Sequence, residues 1–322
     1  MKTSLSFFTP VQAEIQAVEV LMRSQTNNFH SDLTSALDLI LKSGGKRIRP
    51  NLTLLAGRML GAQKDRLITL AAAIEMLHTA TLVHDDLIDG SLLRRGMPTL
   101  NAHWSPGATI LTGDFLFACA AHLASETNSI PVMSLFSRTL QVIVNGEIAQ
   151  MFTGHCVVNR ENYDQRIYAK TASLFETSAC SAALISDAGA EIAEYMRQYG
   201  YDVGMAFQII DDILDFTGEQ ATVGKPVGSD LRNGLVTLPA IYYIEEHPKN
   251  PDAVPFLEGN CPEPDQIENL IQSIRSSNAI SRAHADAVSY VKHGLAQISR
   301  IPQSAESQSL IDLAEFIIAR EI

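Results

Sequence analysis

Apolar residues recur at three- and four-residue intervals along nearly the whole chain, as in Val11, Ile15, Val18 and Leu21, and alternating strand patterns are almost absent. The pattern predicts an all-α protein with helices over roughly 10–27, 29–42, 47–60, 64–89, 105–125, 130–153, 160–188, 191–217, 234–246, 265–277, 279–299 and 305–320. Turn signals fall at helix ends: Gly44-Gly45, Gly96-Met97-Pro98, Ser105-Pro106-Gly107 and Gly224-Lys225-Pro226. The stretch HPKNPDAVPFLEGNCPEPD is the one linker-like segment. A single domain over 1–322 is expected, with a motif-bearing bundle over about 30–246 followed by C-terminal helices over about 263–322.

Two places break the apolar pattern in the same way. LVHDDLIDG carries Asp85, Asp86 and Asp89, and FQIIDDILDFTG carries Asp211, Asp212 and Asp215, each with the spacing D-D-x-x-D. On a helix the first and last aspartate of each set share a face, where like charges repel by a few tenths of a kcal/mol. A single such set is more often a charged surface face. Here the flanks Leu82, Val83, Leu87 and Ile88, and Ile209, Ile210, Ile213 and Leu214, leave little polar surface for one. Clustered carboxylates in so apolar a setting call for cations, and Mg²⁺ takes one or two protein carboxylates and completes its shell with water and phosphate oxygens.

A third segment supplies the complementary charge. GGKRIRP places Lys46, Arg47 and Arg49 at a helix start behind two glycines, where free N–H groups and guanidinium forks suit a phosphate. By itself it also fits a solvated basic turn.

Composition narrows the partners. With 322 residues, 46% hydrophobic, the chain can bury a large core, and a net charge of −12 argues against general nucleic-acid binding. Cys119, Cys156, Cys180 and Cys261 are scattered and are expected to be structural or incidental thiols in a reducing compartment. No secretory pattern is evident, and Glu75, His78 and His122 interrupt the most apolar stretches, so a soluble, cytoplasmic protein is expected. An apolar product would bring it into at most peripheral membrane contact.

Taken together, GGKRIRP, HDDLIDGSLLRRG, KTASLF, FQIIDDILDFTG and GKPVGSDLRNGLVTLP resemble, in order and spacing, the trans-isoprenyl diphosphate synthase (polyprenyl synthetase) family from about residue 40 to 245. The resemblance implies a single large antiparallel helical bundle around a deep central cavity, working as a homodimer. It implies condensation of an allylic diphosphate, such as farnesyl or geranylgeranyl diphosphate, with isopentenyl diphosphate, releasing pyrophosphate. It further implies that Asp85 and Asp89, supported by Asp86, bind two Mg²⁺ ions, and that Asp211, helped by Asp212 and Asp215, holds a third. Arg94, Lys170 and Lys225 would contact the allylic diphosphate, with Thr171 and Gln208 as hydrogen-bonding neighbours. Lys46, Arg49, His78 and Arg95 would hold isopentenyl diphosphate, with Arg47 in the same basic segment. His78 also fits an ordinary helical histidine.

The sequence departs from short-chain relatives at Leu235, where many have a lysine, and at Gln150, where they commonly have an aspartate. Glu147 suits a polar or a structural role equally. Terpene cyclases share one D-D-x-x-D cluster, but the repeated second cluster argues against them. Partner subunits without activity generally lose the motifs; a catalytic subunit of a heteromeric synthase, or a short-chain synthase, stays open.

In this family the growing tail runs along the helix before the first cluster. One turn before Asp85 stand Ala80 and Thr81, where short-chain synthases place bulky residues, and Leu77 and Met76 lie deeper. A helical turn rises ~5.4 Å, close to one isoprene unit, so a long all-trans product of about C35–C50 is expected. Met76 is the candidate for a deeper restriction, and it equally suits a core methionine.

Overall fold

Each predicted apolar stretch folds as a helix with ends within a few residues of the expected ones, because turn signals and apolar periodicity agree there. The computed structural model describes residues 5–152, 156–218 and 226–320. Its main helices are α1 (Gln12–Ser24), α2 (Ser31–Lys42), α3 (Ile48–Met59), α4 (Lys64–Ile88), α5 (Pro106–Glu126), α6 (Ile130–Phe152), α7 (Arg160–Ile167), α8 (Ser173–Ile185) and α9 (Ala190–Thr217). Shorter and later helices span Ser229–Arg232, Leu238–Glu246, Val254–Leu257, Pro264–Arg275, Ala279–Ile298 and Ala305–Ile318. The protein is all-α; among the described residues the one sheet is a two-stranded hairpin, Leu93–Arg94 against Met97–Pro98.

The chain forms two compact units. The first comprises Met1–Thr139, Leu174–Arg197 and Ile298–Asp312. Its axis is α4, whose run Leu70–Leu77 is almost wholly buried, packed by α5, α3 and α1. Close approach needs small residues: a Cβ at Gly57 would overlap Leu67, and one at Gly113 would overlap the His84 ring. The side chain of Gln63 caps the start of α4 and that of Ser105 caps α5, each accepting a backbone N–H. Both helices are long and apolar enough to cross a membrane, so Glu75, His78 and His122 do not interrupt them as expected. In α4, 67% of the apolar window is buried, and its apolarity serves the core.

The second unit comprises Leu140–Ser173, Gln198–Gln297 and Leu313–Ile322. Tyr163, Phe216 and Phe256 are buried in it. A polar cluster ties three helices together: Arg160 donates to Asp164, Asp286 and the Tyr242 hydroxyl, and Tyr242 donates to Asp286 at 2.6 Å. Two expectations change here. The helix expected over 160–188 is broken by a π-helical turn, Tyr168–Ala172, which a 3.6-residue periodicity does not announce. Cys156 and Cys261, expected as thiols, form a disulfide with Cα atoms 5.2 Å apart. Folding brings together positions 105 residues apart in sequence, a pairing that spacing alone does not reveal. Cys119 and Cys180 are free and buried, as expected, and burial pushes both thiols up to about 11.

Candidate active site

In the first unit the site grows from two loops and the end of α4. Gly44 has φ +70° and Arg47, capping α3, has φ +49°, so the chain enters α3 through left-handed backbone. Arg95 and Gly96, with φ +54° and +76°, form the two-residue turn of the hairpin. Arg95 donates to the Gly44 carbonyl, and a Cβ at Gly45 would stand 2.5 Å from its guanidinium. Gly44 is required by its left-handed backbone, and a side chain at Gly45 would displace the Arg95 guanidinium.

The basic residues divide by what they touch. Arg47 turns into the protein, donating to buried Glu75 at 2.7 Å and to Glu19 at 3.1 Å. Arg49 lies 4.8 Å from the Phe175 ring centre and donates to His78 Nε2 at 3.2 Å. Since a guanidinium can only donate, Nε2 accepts, which requires neutral imidazole at that nitrogen. Burial, reinforced by Arg49, Arg95, Arg94 and Arg47, holds the His78 pKa well below its usual value, in agreement. The same crowding, burial first and then Arg94, lowers the Arg95 pKa. Lys46 is exposed. Converging positive charge of this kind suits an anion.

At the end of α4 the three aspartates have distinct environments. Asp86 is buried, and the Arg94 guanidinium spans its two oxygens, with Nε at 2.9 and 3.0 Å and a terminal nitrogen at 2.8 Å. Asp85 is half-buried and Asp89 exposed. At about 100° per residue, Thr81 and His78 lie within about 40° of the Asp85 direction. Thr81 is half-buried, its hydroxyl donating to the His78 carbonyl at 2.8 Å. Ala80 and Met76 point about 140° and 180° away and Leu77 about 80°, by the same geometry. All three are fully buried.

In the second unit, Asp211 accepts from Arg320 at 2.6 Å; Arg320 also donates to the Phe207 carbonyl and covers the Phe207 ring. Asp215 accepts from the backbone N–H groups of Ser229 and Asp230, both at 3.2 Å, and so caps the helix Ser229–Arg232. Asp212 is buried; Tyr163 donates to one of its oxygens at 2.7 Å and Gln208 to the other at 2.9 Å. Burial, with Asp230 nearby, pushes the Asp212 pKa up to about 7. Thr171 donates to the Gln208 carbonyl oxygen at 2.6 Å. Lys170, on the π turn, pairs with Glu147 at 3.0 Å, which gives Glu147 its polar role. Lys225 lies outside the described residues.

The carboxylates are hard oxygen donors suited to Mg²⁺. Among the described residues no three His, Cys, Asp or Glu side chains converge into a ligand cage. Such a donor set fits an ion that completes its shell with phosphate oxygens and water. Tyr163 and Arg320 are site residues that sequence reasoning passed over. Tyr163 had one local signal, a lone aromatic in the polar helix RENYDQRI; Arg320 had none.

Comparison with known proteins places these motifs. The model of the polyprenyl synthetase family matches residues 30–274. Component 2 of heptaprenyl diphosphate synthase from Bacillus subtilis (strain 168) is 34% identical, covering 94% of this chain and 88% of its own. The crystal structure of heptaprenyl diphosphate synthase from Staphylococcus aureus superposes with a TM-score of 0.90 at 33% identity, over 99% of both chains. A polyprenyl synthase from Caulobacter crescentus CB15, solved with calcium and isoprenyl diphosphate, gives 0.88 at 32% identity, also over 99% of both.

Proposed function

The chain belongs to the polyprenyl synthetase family and is a prenyltransferase, and from this premise we propose that it extends an allylic diphosphate with successive isopentenyl diphosphates to a long all-trans polyprenyl diphosphate. The observation that carries the reading is the pair of aspartate clusters with a separate guanidinium cluster around His78. Arg49, His78 and Arg95, with Lys46, bind isopentenyl diphosphate; Arg47, held by Glu75, keeps the start of α3 in place beneath them.

Asp85 and Asp89 present oxygens on one face of α4 for Mg²⁺ and the allylic diphosphate, with Arg94 orienting Asp86 between them. Asp211 takes a further ion, and Lys170 and Lys225 supply positive charge for diphosphate oxygens. Bound there, the metal would neutralise the charge that develops on departing pyrophosphate. No protein nucleophile is needed. Neutral His78 can donate through its second ring nitrogen to a phosphate oxygen.

The protein functions as a homodimer in this reading. Val144, Ile148, Met151 and Phe152 form an exposed apolar stripe on α6, and Phe152 is 86% exposed, a large apolar patch to leave in water. The name of the Bacillus relative favours a second reading, a catalytic subunit that needs a different partner. Activity and light-scattering mass of the purified chain separate the two. A cytoplasmic location with peripheral membrane contact at product release accords with an apolar product.

Incubation with farnesyl diphosphate, isopentenyl diphosphate and Mg²⁺, followed by product sizing, should give chains of about C35–C50, in keeping with the long-chain relatives and with small Ala80 and Thr81 about one ~5.4 Å turn before Asp85. Accumulation of C15 or C20 alone overturns the long-chain reading. Thr81→Phe, on the Asp85 face, should shorten products with the melting temperature unchanged. Ala80→Phe should shorten them too, but at a fully buried position it also costs about 1–3 kcal/mol of stability.

A further inference from the structure

Asp212 sits in the middle of a D-D-x-x-D motif, yet its hydrogen bonds leave it little to offer a metal. Its side chain is buried, 3% exposed, and each carboxylate oxygen already accepts a hydrogen bond, from the Tyr163 hydroxyl at 2.7 Å and from the Gln208 amide at 2.9 Å. Two donors on one carboxyl group suit its ionised form, which accepts only and which prevails above a pH of about 7.

That fact orients everything downstream. Gln208 must turn its NH₂ toward Asp212, because its carbonyl there would face a second acceptor. Its carbonyl oxygen therefore faces Thr171, which donates its single hydroxyl proton to it at 2.6 Å. The direction of every bond from Tyr163 to Thr171 is thus settled by one buried carboxylate. The π-helical turn Tyr168–Ala172 carries Thr171 beside Lys170, and a Cβ at Gly146 would overlap Ala169, so α6 closes against this turn. Tyr163, 1% exposed, holds the far end of the network from α7.

We infer that Tyr163 and Asp212 are positioning residues: Tyr163 holds Asp212, and Asp212, with Thr171 fixing the amide carbonyl, orients Gln208 so that its second N–H is left for the allylic diphosphate, instead of ligating metal. The inference rests on the proposed reading of this site as the allylic diphosphate site. The second cluster is then divided by role. Asp211 faces cations, Asp215 caps a helix, and Asp212 serves hydrogen-bond geometry.

The test compares Tyr163→Phe, Asp212→Asn, their double variant and Asp211→Asn in the full-length protein. Mn²⁺ affinity, measured by electron paramagnetic resonance in the presence of inorganic pyrophosphate, should be unchanged in Tyr163→Phe and Asp212→Asn and weakened in Asp211→Asn. In turnover, Tyr163→Phe should lower kcat with the allylic substrate about tenfold, as small misplacements at a reacting centre do. The KM for isopentenyl diphosphate should not move. The double variant should lose no more than Asp212→Asn alone, because both act through one chain of hydrogen bonds. Equal loss of Mn²⁺ affinity in Asp212→Asn and Asp211→Asn overturns the inference, as does an additive double variant. Circular dichroism checks folding, and Phe retains the buried ring. If the wild-type protein turns over no prenyl diphosphate, the functional reading fails while the Mn²⁺ comparison still decides the role of Asp212.

Discussion

The two aspartate clusters have the same spacing and opposite solutions to the same electrostatic problem. In both, the second aspartate is buried, Asp86 at 8% and Asp212 at 3% exposure. Asp86 is balanced by a charge, the Arg94 fork from the hairpin eight residues on. Asp212 is balanced by neutral donors from residues 49 and four positions away, Tyr163 and Gln208. The outer positions differ as well. Asp85 is half-buried and Asp89 exposed near the end of α4, whereas Asp211 meets Arg320 and Asp215 caps a short helix. A repeated motif is therefore not a repeated environment: the buried aspartate of the first cluster is balanced by a guanidinium, that of the second by neutral donors.

The comparison can be broken most directly at the outer aspartates. Asp85→Asn should reduce kcat by about 10²–10³-fold, the scale for losing an electrostatic stabiliser of developing charge, with pyrophosphate release at saturating Mg²⁺ as the measurement. If Asp212→Asn costs as much, the two clusters are equivalent after all. A smaller effect is expected at Arg94. Replacing it with Gln leaves Asp86 buried without its cation, and should cost about tenfold in turnover through misplaced neighbours while lowering the melting temperature.

Arg320→Gln sharpens the contrast further. Removing the cation that meets Asp211 should lower the Mg²⁺ concentration for half-maximal rate by about two- to fivefold, the worth of a half-exposed ion pair. An increased Mg²⁺ requirement would mean that Arg320 holds Asp211 in its working orientation.

The smallest effect is on the pH dependence of stability. The Asp212 pKa rises from 3.8 to about 7 in the folded state, chiefly by burial, so the fold retains this proton more tightly than the unfolded chain. The corresponding stability is complete below the unfolded value and is lost as pH rises through about 7. Asp212→Asn should flatten that slope, seen as melting temperatures that converge at acid pH and favour the variant at neutral pH. Parallel curves would show that Asp212 does not titrate in this range.

Much of the fold was legible because its signals are local. The spans of α3, α4 and α6 follow from apolar residues at helical spacing between glycine and proline breaks. The D-D-x-x-D motifs, GGKRIRP and Lys170-Thr171 were visible as residue types in a pattern. What stayed hidden has a shared physical reason. Arg320 reaches Asp211 across 109 residues, and Cys156 meets Cys261 across 105. Arg47 carries the same charge as Arg49, two residues away, yet it pairs with Glu75 while Arg49 meets His78. The π turn hid inside an apolar run because one extra residue per turn changes the geometry without changing composition.

The sequence by itself determined the helices, the two clusters and the family, since backbone periodicity and motif order depend on near neighbours along the chain. Only the tertiary structure decided which aspartate meets a guanidinium, which caps a helix and which accepts buried neutral donors. A carboxylate's role depends on which donors reach it and how much water it retains, and both are settled by elements that fold against it from far away in sequence.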